Sequence, residues 1–511
     1  MIRRGVFTGL VLLVLAACIY PVVNRVPAGF LPDEDEGYLY GSLQMPFGSS
    51  LGVTEQGTEQ IVQLLGRNPA VKGVVMVNGF NLLTGVQSPN NAFFFITLQD
   101  WAKRNPETQN AAAIAANLRE QLNSLATGGI GTAILPPPIP GVGATSDVTF
   151  MLEDRAGRGS EYLASQASVF TRALADCPQI AAVQNFQAAD TPQYFITLNT
   201  EKALTQGVNL SAAYDTLQTF LGSSFINYFN LYGYQYPVYM QADAASRMQV
   251  EQLQEFYLPG AADSDVPLDA LVDVRFTYGP QFIMRQNMYN AAMLNVVAAP
   301  GYTSAQVMQA LEDTFARTMP GDMGYSYSGM SYQQQKAAQG ISLAGIFAIS
   351  GVFAYLLLAA LYESWALPLT IVLSVPVAIL GALSTLWLSG MELDLYAEIG
   401  LIMLIGLAAK NAILVVEFAQ DRLAEGMSLL QATLAGAKAR LRPILMTSFA
   451  FILGCVPLAL ATGPGAEARR SIGITVIGGM TTATLIGILF IPFCYFLISR
   501  WCRRVTVHTP T

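Results

Sequence analysis

Residues 395–420 read LYAEIGLIMLIGLAAKNAILVVEFAQ, and residues 439–448 read ARLRPILMTS. In the first string a single lysine, Lys410, has long apolar runs on both sides. About twenty such residues are enough for a helix to cross a bilayer. A cation near the bilayer centre costs at least ~2.5 kcal/mol, so an intramembrane lysine is a candidate functional residue and needs a carboxylate or a proton relay beside it. The organisation of the chain turns on where that partner lies.

The surrounding sequence supports a membrane protein. Of 511 residues, 52% are hydrophobic and 12% charged, with a mean hydropathy of +0.40. Soluble domains carry roughly 25% charged residues. Apolar runs at about 6–24, 341–362, 365–389, 396–419, 443–462 and 472–498 predict six transmembrane helices. The N-terminal MIRRGVFTGLVLLVLAAC also has the form of a signal peptide, with LAAC resembling a lipoprotein box at Cys18. The apolar run continues to Val23 and five more spans follow, which favours a retained helix over 1–26.

Basic residues orient the bundle. Arg3 and Arg4, then Arg422, Lys438, Arg440 and Arg442, then Arg500, Arg503 and Arg504 all fall on one, cytoplasmic, side of a six-span topology. Arg469 and Arg470 are the exception. Residues 26–340 then lie outside, with 14 basic against 27 acidic residues, and 499–511 form a cytoplasmic tail. An acidic exterior argues against nucleic acid. Only Cys177 of the five cysteines is external, and His508 is the single histidine. That excludes a disulfide framework and a His/Cys metal site. No nucleotide-binding motif occurs, so neither an ATP-driven mechanism nor a cofactor is expected.

In chain order, Pro32 and four acids at 33–36 read as a solvated collar leaving the membrane. Residues 38–45, 54–66, 71–78, 92–98, 108–126 and 130–135 then read strand, helix, strand, strand, helix, strand, the split βαβ pattern of a ferredoxin-like domain over 33–135. The connection 78–91, NGFNLLTGVQSPNN, is about fourteen residues, long enough to suggest a functional loop. It carries Phe80, Leu82 and Leu83. Strand alternation sends Phe93 and Phe95 to one face and Phe94 to the other. One face is core; the other is core or an aromatic wall for apolar ligands. LPPPIPG at 135–141 is a rigid linker. A second such unit spans 136–189 and 278–335, with a Thr303/Gln306 capping box. It is interrupted by an aromatic insertion, 190–277, in which FINYFNLYGYQYPVYM reads as a hairpin and a docking surface, or as a subdomain without a partner.

Within the membrane block, 341–498, Glu417 is two turns, about 10.5 Å, from Lys410 and near the cytoplasmic end. Glu398 is near the outer end. No span carries a mid-membrane acid. Lys410 therefore titrates to neutral, or its partner lies outside this sequence. Arg440 precedes Pro443, which suits a first helical turn after an amphipathic helix near 422–440. Arg440 and Thr447 are seven residues apart and share a face. They are positive-inside anchors, or one side of a polar proton track with Lys410. Thr475, Gly479 and Ala483 form a small-residue packing face.

The strings FLPDEDEG, DTPQYFITL, GMSYQ, ALYESWALPL, GLAAKNAILVVEFA, RLRPILMTSFAFILG and GGMTTATLIGILFIP extend this picture. At these residues the sequence resembles the C-terminal half of the resistance–nodulation–division transporters, in their hydrophobe/amphiphile multidrug efflux branch. The resemblance implies one repeat of a twelve-span protein of the bacterial inner membrane: a six-helix bundle plus an α+β periplasmic porter of ferredoxin-like subdomains with an inserted docking subdomain. It implies a proton relay of Lys410, Asn411, Arg440 and Thr447, opposed by paired aspartates from an N-terminal half. It also implies a substrate pocket that includes Tyr40, Val75, Phe80, Leu82 and Phe95. Ile134 and Gln184 replace an aromatic and a basic residue of the family pocket, and Val75 and Tyr40 replace Phe and Met. The expected partners are a periplasmic adaptor, an outer-membrane channel, further copies in a trimer, and amphiphilic small molecules. The expected activity is drug/proton antiport, not an enzymatic reaction. The alternative is a truncated or split chain acting only as an assembly subunit.

Overall fold

The computed structural model describes residues 5–105, 108–124, 128–187, 191–261, 264–340 and 343–506. It divides into two compact units, 188–281 and the remainder.

In the larger unit, β1 (Tyr38–Gln44), β2 (Val71–Phe80), β3 (Gln87–Leu98) and β4 (Ile130–Ile134) form one antiparallel sheet in the order β2-β3-β1-β4. Helices Leu51–Gly66 and Ala111–Ser124 connect β1 to β2 and β3 to β4. The period-2 pattern sets the faces. Leu39, Leu43, Phe94, Ile96 and Leu98 pack on Ile61, Leu65, Ile114 and Leu118 of the two helices. A second sheet of the same strand order is built from Val148–Asp154, Ile180–Asn185, Tyr289–Ala298 and Met323–Tyr327, with a short edge strand at Met284–Gln286. Its helices are Ser160–Leu174 and Ser304–Thr318. The latter starts with the expected capping box: Thr303 and Gln306 exchange side-chain and backbone hydrogen bonds.

The loop between β2 and β3 is shorter than its sequence suggests. Pairing continues to Phe80 opposite Gln87 through a bulge, at which Gly79 takes a positive φ of 83°. Only residues 81–86 lie outside the two strands. Asn81 holds this turn together. Its Oδ1 accepts from the backbone N–H of Leu83 and Thr84, and its Nδ2 donates to Asn91.

Among the described residues, five helices are long and apolar enough to cross a membrane: Ala344–Tyr362, Leu367–Leu388, Leu395–Ala424, Leu429–Ala459 and Ala466–Trp501. The sixth expected span is a shorter apolar helix, Thr8–Val23, about 24 Å of rise against a core of roughly 30 Å. There is no separate cytoplasmic helix over 422–440. The lysine-bearing helix ends at Ala424, and residues 429–459 are one unbroken helix with Pro443 inside it. The helix-forming run LLQATLAGAKAR carries the structure through the proline, which membrane helices tolerate. The pair approach closely near Gly436, where an added Cβ would lie 3.0 Å from the Ala419 backbone nitrogen.

Two of the four acids at 33–36, Glu34 and Asp35, are not part of a solvated collar. Glu34 is buried, 6% exposed, and both its carboxylate oxygens accept hydrogen bonds from the membrane helix that begins at Ala466: from Glu467 N–H at 3.1 Å and Ala468 N–H at 2.8 Å. Asp35 receives both Nη groups of the buried Arg104, at 2.8 and 3.0 Å, the Trp101 indole N–H, and the Ala111 N–H. Burial opposes ionisation of Asp35. The hydrogen bonds and charge of Arg104 outweigh it and hold the carboxyl below its ordinary range. Arg469 and Arg470 break the charge rule because they cap carbonyls. They donate to the Thr462, Pro464 and Ala461 oxygens in the turn between the last two helices.

In the smaller unit, Thr191–Leu198 pairs with Val272–Gly279 over a core that includes Ala203, Leu253, Leu258 and Leu268. The strands Ser224–Leu231 and Tyr234–Met240 form the expected hairpin. Tyr232 and Gly233 at its tip both have positive φ, 51° and 81°, as a two-residue hairpin loop requires.

Candidate functional site

The membrane candidates lie on two packed helices. On Leu395–Ala424 the residues Ala397, Leu401, Leu404, Ala408, Asn411, Val415 and Ala419 are buried. Ile399, Met403, Gly406, Lys410 and Glu417 are exposed and recur at intervals of four, three, four and seven. That spacing is one helix stripe, and Lys410 sits at its middle. Lys410 forms no hydrogen bond or ion pair among the described residues.

Among the described residues, no hydrogen bond or ion pair joins the four expected relay residues to one another. Asn411 is buried and donates from Nδ2 to the Oγ of Ser448 at 3.4 Å, which joins the two helices at mid-depth. Thr447 donates to the carbonyl of Ile444 on its own helix. Arg440 stacks on Phe418, with its guanidinium carbon 4.9 Å from the ring centre, and its buried Nε has no hydrogen-bond partner. Phe418 is eight residues, about 12 Å of helix rise, from Lys410. Ser448, one 100° step around the helix from Thr447, is the residue that meets Asn411 of the lysine helix.

Three of the five pocket candidates, Tyr40, Val75 and Phe95, share one face of the first sheet. Val75, Phe95, Tyr40 and Ile134 lie opposite one another across all four strands. Phe94 faces the core at 1% exposure, whereas Phe95 and Val75 are 36% and 63% exposed. Tyr38, Tyr40, Phe93 and Phe95 make a four-ring cluster on that open face. Tyr38 and Phe95 stack at 4.8 Å, and Tyr40 lies 5.3 Å from Phe93 and 5.6 Å from Phe95. Burial, with Tyr40 alongside, pushes the Tyr38 phenol up to about 12, so the wall is uncharged there. The alternation of YLY at 38–40 was the signal that could have added Tyr38. Phe80 lies at the far end of β2 and makes no ring contact with this cluster among the described residues. Leu82 lies in the turn, and its neighbour Leu83 packs against Met151, Phe186 and Met293 of the second sheet. No group of acidic, His and Cys residues that could hold a metal ion occurs among the described residues.

Comparison with known proteins gives a consistent answer. The AcrB/AcrD/AcrF family matches residues 1–499. The multidrug/solvent efflux pump membrane transporter MepB of Pseudomonas putida is 38% identical over 477 residues, 93% of this chain and 45% of that protein. The multidrug export protein AcrF of Escherichia coli (strain K12) is 36% identical over 507 residues, 97% of this chain and 48% of that protein. The toluene efflux pump membrane transporter TtgE of Pseudomonas putida is 32% identical over 506 residues, 98% of this chain and 48% of that protein. The chain spans about half the length of the curated relatives it matches.

Proposed function

Because the chain belongs to the AcrB/AcrD/AcrF family, we propose that it is half of a proton-driven drug/proton antiporter that exports amphiphilic compounds. The family consists of efflux transporters rather than enzymes, placed in the inner membrane as multi-pass proteins with a large periplasmic domain. The observation that carries the antiport reading is Lys410, a cation at the middle of an exposed stripe on a membrane-length helix, with no partner among the described residues. Such a charge is stable in a bilayer only against a counter-charge. A second half, on the same or another polypeptide, supplies paired carboxylates across that stripe. Protonation of those carboxylates frees Lys410 and lets the helices shift. Asn411 and Ser448 hold the lysine helix to its neighbour during the cycle, and Arg440 and Thr447 line the path from the cytoplasmic side.

The two sheets of 2-3-1-4 order support a reading as ferredoxin-like porter subdomains. The aromatic face of the first sheet, Tyr38, Tyr40, Val75, Phe93 and Phe95, takes apolar or planar amphiphiles, with Phe80 and Leu82 at the rim. The exposed aromatic hairpin 224–240 supports a docking role for the inserted subdomain, toward an outer-membrane channel and a periplasmic adaptor in a trimeric assembly. The test is drug accumulation in cells that contain the chain together with its matching half. Lys410→Ala should raise accumulation to the level of cells without the pump. Unchanged export in that variant refutes proton coupling through Lys410.

A further inference from the structure

The acids at 33–36 have no place in the relay or the substrate wall, yet two of them are among the most constrained carboxylates of the protein. The membrane helix Ala466–Thr482 has glycine, Gly465, at its N-cap and no side-chain cap of its own. Its free N–H groups are satisfied instead by Glu34, 433 residues away in sequence. The next residue, Asp35, is fixed by Arg104, Trp101 and the first N–H of the porter helix Ala111–Ser124. Adjacent Cα atoms are about 3.8 Å apart across a planar peptide, so nothing flexible separates the two attachments.

The same membrane helix is tied to the lysine helix. Asp394 caps the lysine helix by accepting from Ala397 N–H at 2.6 Å, and its same oxygen accepts from Ser471 Oγ at 2.7 Å. Thr475 and Gly479 pack against Gly400 and Leu404 with no space for another carbon. A continuous path of short contacts therefore runs from the lysine helix through Asp394, Ser471 and Glu34 to Asp35 and the porter.

We propose that Glu34 is a positioning residue that transmits movement of the lysine-bearing helix pair to the porter domain. Membrane helices shift as rigid bodies. A bidentate cap on a helix end, continuous with a residue clamped in the porter, converts that shift into porter displacement. This inference rests on the antiport reading.

The experiment measures substrate exported and protons consumed in the same vesicles holding the assembled pump. Glu34→Gln keeps the side-chain volume and removes one acceptor oxygen and the charge. Proton flux should stay within about twofold of wild type while export per proton falls about three- to tenfold, the range expected for loss of a coupling contact. A purely structural role would lower both in proportion to the folded protein. Ser471→Ala, which cuts the path one contact earlier, should lower export per proton in the same direction, and it decides the matter alone if Glu34→Gln does not accumulate. Unaltered export per proton in the folded variants overturns the proposal. Lys410→Ala is the separate control: retention of proton flux there overturns the antiport reading, whatever Glu34 does.

Discussion

Replacing Asp35 with alanine isolates the anchor on which the porter depends. The substitution leaves the Arg104 guanidinium, whose side chain is 3% exposed, without its bidentate partner. It also strips the acceptor from the Ala111 N–H and one of two from the Trp101 indole, which keeps the backbone oxygen of residue 35. Breaking a buried ion pair by removing one member costs about 3–5 kcal/mol, because the remaining charge is stranded. The extra orphaned donor, the Ala111 N–H, places the expected loss at the upper end of that range. Urea unfolding of the solubilised chain reports it. Trp101 touches Asp35 directly, and with Trp365, Trp387 and Trp501 replaced by phenylalanine it is the only indole. At a slope of about 2 kcal/mol/M, the midpoint should fall by roughly 2 M. Asp100→Ala is the control. Asp100 pairs with Lys103 at 3.8 Å with both side chains more than 60% exposed, and such a pair contributes about 0.5 kcal/mol. The Asp35 carboxyl is held below its ordinary 3.8. Its contribution is therefore present above that value and is lost as pH falls through the lower, folded-state value. A midpoint shift in Asp35→Ala no larger than in Asp100→Ala would refute the reasoning.

Adjacent phenylalanines should separate stability from transport. Phe94→Ala should cost about 3–5 kcal/mol in chemical unfolding. Phe95→Ala should leave stability nearly unchanged while lowering export of a planar aromatic cation about threefold or more, the worth of one ring contact. Gly473→Ala should destabilise by about 1–3 kcal/mol, since its Cβ would lie 2.6 Å from the Ala459 nitrogen and 3.0 Å from the Leu458 carbonyl carbon. Gly454→Ala, with open space around it, should not, and thermal midpoints in detergent compare the two. Glu392, at the periplasmic end of the bundle, is pushed up from 4.5 to about 7 by burial and then by the charges of Asp33 and Asp394. A raised folded-state value means its contribution is complete below 4.5 and lost as pH rises toward 7. Thermal stability should fall across that window in the wild type and less steeply in Glu392→Gln.

Much of the porter was legible because its signals are local. Alternation in YLYGSL and FFFITL assigns faces, and the Thr303/Gln306 box lies within one helical turn. The features that escaped are long-range or rotational. The partners of Glu34 and Asp35 lie 433 and 69 residues away, so four acids in a row look like a solvated face. The stretch 78–91 looks like one long connection, but a glycine bulge lets pairing run on to Phe80. Pro443 looks like a helix start because a proline inside a helix is costly in water, and neighbouring membrane helices relieve that cost. Thr447 and Ser448 differ by one step around a helix, and only packing shows which one meets Asn411. The exposure of Lys410 was implicit in its sequence: a lone cation with no mid-membrane acid in any span.

Proton movement driven by substrate, in inverted membrane vesicles carrying the chain with its matching half, tests the central claim most directly. On addition of an exported amphiphile, a pH-sensitive dye should report proton flux in the wild type and in Lys438→Ala, whose lysine is also exposed but lies near the start of its helix. The same addition should give no flux in Lys410→Ala. Substrate-driven proton flux of wild-type size in Lys410→Ala would contradict the account.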